Sequence, residues 1–66
     1  DHNRAQFYVR RINNGEFANA ETLWLGIRVE RQLGNATAVE QLAQQLGRRY
    51  AQSPQWTLYQ RGTFDE

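Results

Sequence analysis

The chain has 66 residues, a net charge of +1, no cysteine and a single histidine. A chain of that length is at most one small domain, burying only about 60% of its unfolded surface, and its composition offers neither disulfides nor an evident zinc site as a staple. The near-neutral balance gives no electrostatic reason to expect nucleic acid as a partner, and no apolar run reaches the ~18 residues of a membrane span.

The first residue is Asp1 rather than Met, from which we expect a piece of a longer protein with any targeting element upstream. All eight basic residues are arginine. Arginine suits bidentate recognition of carboxylate or phosphate, but the codon usage of a GC-rich genome explains the bias without a ligand.

Apolar spacing predicts four helices and no strand, so the fold class is all-α. The first covers residues 4–13, with Ala5, Tyr8, Val9 and Ile12 on one stripe and Phe7 on the opposite side. Asn13-Asn14-Gly15 supplies residues tolerant of positive φ and stops it.

The second helix is expected from Ala20 to Leu33, with Asn19 as N-cap and Gly34 as terminator. It carries two apolar stripes, Ala20, Leu23, Trp24 and Ile27 on one side and Leu25, Gly26, Val29 and Leu33 on another. Together they are wider than the ~100° face of a surface helix. This helix must be covered on two sides.

The third helix is expected over residues 36–50. Asn35 or Thr37 is positioned to cap it, and Thr37-Ala38-Val39-Glu40 fits a capping box. Its single apolar set is Val39, Leu42, Ala43, Leu46 and Tyr50. Ser53-Pro54 reads as the N-cap and first position of a short helix over 54–60. The tail, 61–66, has no periodicity and is expected to fray, with Phe64 free to tuck in. Helices two and three form an antiparallel hairpin, with Leu25, Gly26, Val29, Val39, Ala43 and Leu46 in their interface and Trp24 in the core. Gly26 and Ala43 leave room for close approach of the two backbones.

This layout resembles a tetratricopeptide repeat, a helical hairpin of 34-residue period. Leu25-Gly26 matches the repeat's Leu-Gly pair, and Ala38 or Val39 falls near the small residue of the second helix. Val29 stands where an aromatic is usual, and the closing proline is displaced to Pro54. Over residues 4–60, "ETLWLGIRVERQLGN" and "AVEQLAQQLGRRYAQSPQW" resemble the carboxy-terminal end of the type IV pilus biogenesis and stability proteins (the PilF/PilW family). The shared features are a Leu-Gly-Ile-Arg run, a Gln-Leu pair late in the next helix and a basic–aromatic ending before a serine-containing turn.

The resemblance implies that residues 4–13 are the second helix of a preceding repeat, residues 20–50 the last repeat and residues 54–60 a capping helix. It also implies a non-catalytic scaffold supporting pilus secretin assembly or stability. Its partners would be the secretin or other pilus-assembly proteins, at the periplasmic face of the bacterial outer membrane, as part of a longer lipoprotein. A first helix covered by its own partner and by the preceding repeat accounts for two apolar faces.

The alternative is a DNA-binding helix-turn-helix, with "VEQLAQQLG" as its first helix, Gly47 at its turn and residues 54–60 as the recognition helix. Arg48 and Ser53 stand where that motif needs apolar anchors, and Arg61 alone would reach phosphate. For an enzyme there is little to work with. His2 lies at a terminus, while Glu16, Glu21, Glu30 and Glu40 are scattered and read as solvated or ion-paired surface carboxylates, Glu30 being flanked by Arg28 and Arg31. Neither a nucleophile with a base nor a Gly-rich phosphate loop occurs. We therefore expect no catalytic residue, no metal and no cofactor. Phe7, Tyr8, Trp56 and Tyr59 are the candidate partner contacts, since aromatics are enriched at interface hot spots. The fragment itself is expected to contact no membrane and no nucleic acid, and in isolation to self-associate, with Phe7, Tyr8 and Trp24 at or near the contact.

Overall fold

The computed structural model describes residues 2–13 and 18–64, the side chains of 2 and 11–13 excepted. Among them it contains four helices and no strand: α1 (His2–Asn13), α2 (Ala20–Gln32), α3 (Ala36–Arg49) and α4 (Pro54–Arg61). The chain is all-α. The stop expected at Asn13-Asn14-Gly15 lies largely outside the described residues, as do the side chain of Ile12, that of His2, and Glu16.

Both ends of α2 and both ends of α4 have a local cause. Asn19 caps α2 reciprocally with Thr22. The asparagine side-chain oxygen accepts the Thr22 N–H at 2.9 Å, and the Asn19 N–H donates to the threonine hydroxyl at 2.8 Å, satisfying two amides that the helix start leaves free. Gly34, at φ 76°, ends the helix. It allows its own N–H to reach the Arg31 carbonyl and the Asn35 N–H to reach the Glu30 carbonyl, a six-to-one and five-to-two closure that needs a left-handed residue. Ser53 accepts the Trp56 N–H at 3.1 Å and Pro54 opens α4. Gly62, at φ 72°, closes α4 as Gly34 closes α2.

The start of α3 differs from expectation. Ala36 is its first residue, so Thr37 already lies inside the helix and cannot cap it. The cap position is Asn35, which makes no capping bond with its side chain. That side chain instead helps to favour the charged form of the nearby Glu30 carboxylate.

Helices α2 and α3 run antiparallel. Asn35, before α3, binds the end of α2, while the Tyr50 hydroxyl, after α3, donates at 3.0 Å to the carbonyl of Ala18, before α2. Leu23 and Ile27 of α2 and Leu46 of α3 are fully buried between the elements, with Trp24, Ala43 and Ala18 nearly so. Each complete burial of an aliphatic side chain contributes about 1.5–3 kcal/mol. Gly26 is buried as well, and Val29, Val39, Leu42 and Tyr50 are half-buried.

Leu25 is a correction. It is 43% exposed rather than in the hairpin interface, because it shares the one free face of α2 with the exposed Glu21 and Gln32. Among the described residues helix α2 packs against α1, α3 and α4, whereas α1 packs against α2 alone. The two-sided pattern of residues 23–33 thus corresponds to a helix with neighbours on several sides.

The tail is a second correction. Thr63 donates its N–H to the Leu58 carbonyl at 3.0 Å, and the Phe64 ring stacks on Trp24 with centroids 5.6 Å apart. The described part of the tail is therefore packed rather than frayed.

Gly47 sits in the last turns of α3 against the Trp56 indole, where a Cβ would come within 2.6–2.9 Å of three ring carbons. The indole is stacked on Tyr59 at 5.5 Å and cannot step aside without losing that contact. An alanine normally gains about 1 kcal/mol over glycine inside a helix, but overpacking costs about 1–3 kcal/mol. Gly47→Ala is therefore expected to lower the urea midpoint. In a Trp56→Leu background the same substitution should raise it by an amount equivalent to about 1 kcal/mol.

Candidate protein-interaction surface

The most unusual side chain of the fold is a buried acid. Glu30 follows Leu23 and Ile27 on the inner side of α2 and is only 2% exposed. Arg10, one helix away, grips it with two nitrogens: Nη2 lies 2.7 Å from Oε2 and 3.3 Å from Oε1, and Nε lies 3.3 Å from Oε2. Gln6, one turn earlier on α1, donates to Oε1 at 2.6 Å. Burial by itself raises the carboxyl pKa. The hydrogen bonds from Arg10 and Gln6, the positive charge of Arg10 and the nearby Asn35 side chain outweigh it, so the carboxyl lies below its ordinary value.

This geometry corrects the surface-carboxylate expectation, and the partner is not Arg28 or Arg31 but Arg10. With both oxygens engaged and the charged form favoured, Glu30 is equipped to hold α1 in register rather than to transfer protons. Among the described residues no group of three His, Cys, Asp or Glu is placed to hold a metal ion.

Beside the cluster, α1 and α3 stand on opposite sides of a cleft of about 270 Å³. Gly26, Val29 and Glu30 form its floor, and Gln6, Val9 and Arg10 face Gln41, Leu42 and Gln45 across it. At the other end of the bundle the aromatic residues form one stack. Phe64 lies on Trp24, Tyr59 meets Phe64 edge-on at 6.1 Å, and the Arg31 guanidinium sits 4.4 Å from the Phe64 ring centre.

The four candidate contacts therefore separate into two kinds. Trp56 and Tyr59 are half-buried and stacked on each other, spent on closing α4 over α3 and the tail. Phe7 and Tyr8 are 71% and 67% exposed. Tyr8 was expected on the inner stripe of α1 with Val9. The inner residues are instead Gln6, Val9 and Arg10, because α1 is rotated to bring Gln6 and Arg10 onto Glu30. Trp24 is 5% exposed and covered by Phe64 within the chain.

The Glu30 cluster has a signed pH dependence. On acidification the unfolded carboxyl takes up its proton first, near the ordinary value of 4.5. The stability it contributes is complete above that value and is lost as pH falls through it toward the lower folded value. Urea unfolding from pH 7 to pH 3 should show Glu30→Gln less stable at neutral pH and declining less steeply with acid. Arg10→Ala leaves the buried carboxylate with neutral donors only and is expected to cost about 1–2 kcal/mol at pH 7.

The chain matches no protein-family model, no curated protein and no solved structure.

Proposed function

We propose that this chain is a non-catalytic protein-interaction scaffold, the carboxy-terminal end of a tetratricopeptide-type repeat protein that supports type IV pilus biogenesis through secretin assembly or stability. The observation that carries the reading is the position of α2. It is flanked by α1 and by its hairpin partner α3, and α4 packs on both members of the hairpin. That is the neighbour pattern of a first helix inside a stack of helical hairpins, where each unit buries its apolar faces against the next. Helix α1 takes the place of a preceding repeat's second helix, α2 and α3 form the last repeat, and α4 with Phe64 closes the end. The pilus assignment rests on the resemblance of residues 21–35 and 38–56 to that family.

The helix-turn-helix reading has less support. Gly47, which would have to make the turn, lies within α3 and is covered by Trp56. A proline-led helix of eight residues follows, with Trp56 and Tyr59 turned to packing rather than to a groove.

The test is made in the full-length parent protein in its own cells. Deleting residues 20–61 is expected to lower the amount of detergent-resistant secretin multimer and to impair surface piliation, and full multimer and piliation would overturn the reading. Duplex DNA supplies the second arm. No retardation is expected at micromolar chain, whereas salt-sensitive binding lost on substitution of Arg48, Arg49 or Arg61 would favour the alternative.

A further inference from the structure

The scaffold reading leaves the cleft between α1 and α3 open. Its two walls are successive second helices, so the rest of a preceding repeat falls beyond α1, on the side away from α3. Gly26 and Val29 of α2 form the floor, and Val9 and Leu42 bring apolar surface to the two walls. The carboxamides of Gln41 and Gln45 line the α3 wall one turn apart. Neither makes a hydrogen bond to another described residue, although Gln45 is half-buried. A carboxamide withdrawn from water without a protein partner is destabilising until water or a ligand satisfies it.

From these unpaired carboxamides above an aliphatic floor we infer that the cleft binds an extended, uncharged segment of a partner protein. One leucine-sized side chain sits on Val29, and its flanking peptide groups meet Gln41 and Gln45. The inference rests on the scaffold reading only in taking the partner to be a protein. A carboxamide carries donors and an acceptor, as a peptide group carries one of each. Two of them one turn apart therefore suit a chain whose own amides are not already paired in a helix. Size points the same way. A helix ~10 Å across fills roughly 850 Å³ over two turns, against about 270 Å³ here. A cavity of ~150 Å³ holds a benzene-sized group, so this cleft has room for one aliphatic side chain and the backbone that carries it.

Charge narrows the occupant further. Arg10 and Glu30 are the charged groups lining the cleft, and each is matched by the other. A cationic residue would compete with Arg10 for a carboxylate whose two oxygens are already engaged. An anionic residue would draw Arg10 away from a carboxylate that is 2% exposed, stranding a buried charge. A second copy of this chain does not supply the segment. Its described turns, residues 33–35 and 50–53, are folded into the hydrogen bonds that close their helices, and neither is free to extend.

The isotope-labelled chain of residues 1–66 is titrated by two-dimensional NMR with the blocked pentapeptide Ser-Thr-Leu-Thr-Ser, and with the same peptide carrying Gly, Lys or Glu at its centre. The leucine peptide is expected to bind at roughly 1 mM, shifting the backbone amides of residues 6–10, 26–30 and 38–45. The glycine and both charged peptides are expected to bind at least several-fold more weakly. Gln41→Ala with Gln45→Ala should weaken the leucine peptide several-fold, and Ala38→Trp, which fills the cleft from the α3 wall, should abolish its shifts. Both variants are expected to keep the far-ultraviolet circular dichroism spectrum. Equal binding of the glycine peptide or of a charged one would overturn the inference, as would absence of binding up to roughly 10 mM. So would shifts placed outside the cleft, undiminished binding by the double alanine variant, or concentration-dependent shifts of the same amides in the chain alone. None of these outcomes alters the secretin readout in cells, so the two readings fail separately.

Discussion

The seam between α2 and α3 carries the rest of the molecule. Leu23, Ile27 and Leu46 are withdrawn completely from water there, and their positions are fixed at both ends by polar ties, the Tyr50 hydroxyl to the Ala18 carbonyl and the Asn35 amide to the Glu30 carbonyl. A short chain without covalent staples has little apolar area to spare. Concentrating it in one hairpin leaves a rigid surface on which the other two helices are set. Helix α4 and Phe64 close over Trp24 at one side, and α1 is laid on another.

The two attachments use different chemistry. The α4 side is aromatic: Trp56 over Gly47, Tyr59 on Trp56, Phe64 on Trp24, with Arg31 over the last ring. Its energy comes from area removed from water and from offset ring contacts. Among its described residues the α1 side offers one buried aliphatic, Val9, and one carboxylate cluster. A paired, hydrogen-bonded carboxylate adds modest net stability but penalises every misalignment, because a shifted α1 would strand a buried charge. Aromatic packing fastens the end of the bundle, and the ion pair selects the orientation of α1.

Much of this fold was legible in the sequence, for reasons that differ by element. The starts of α2 and α4 and the stop of α2 follow from side chains that act on their own backbone, Asn19, Ser53 and Gly34, and such local signals do not depend on tertiary context. The double apolar stripe of residues 23–33 announced neighbours on more than one side. Helix α1 is less legible. Its apolar stripe runs through Tyr8, yet the helix turns on polar residues, and the cue is Gln6 and Arg10 at i, i+4 spacing beside Val9. Glu30 carried a similar cue, standing three and seven residues beyond Ile27 and Leu23 on the same face. Leu25 was misplaced because hydrophobicity alone does not say which of two stripes a neighbour covers. The role of Gly47 was hidden for another reason: its partner Trp56 belongs to a different helix, and only the assembled fold brings them together.

Among the described residues helix α1 packs against α2 alone, and the anchor they form is Val9 with the carboxylate cluster. The amides of α1 should therefore open independently of the hairpin, in a local unfolding step well below the global one, while those of α2 and α3 exchange only when the seam itself gives way. The molecule is then two cooperative units of unequal persistence. The unit that carries the exposed aromatic rings is the one that samples its detached state most often.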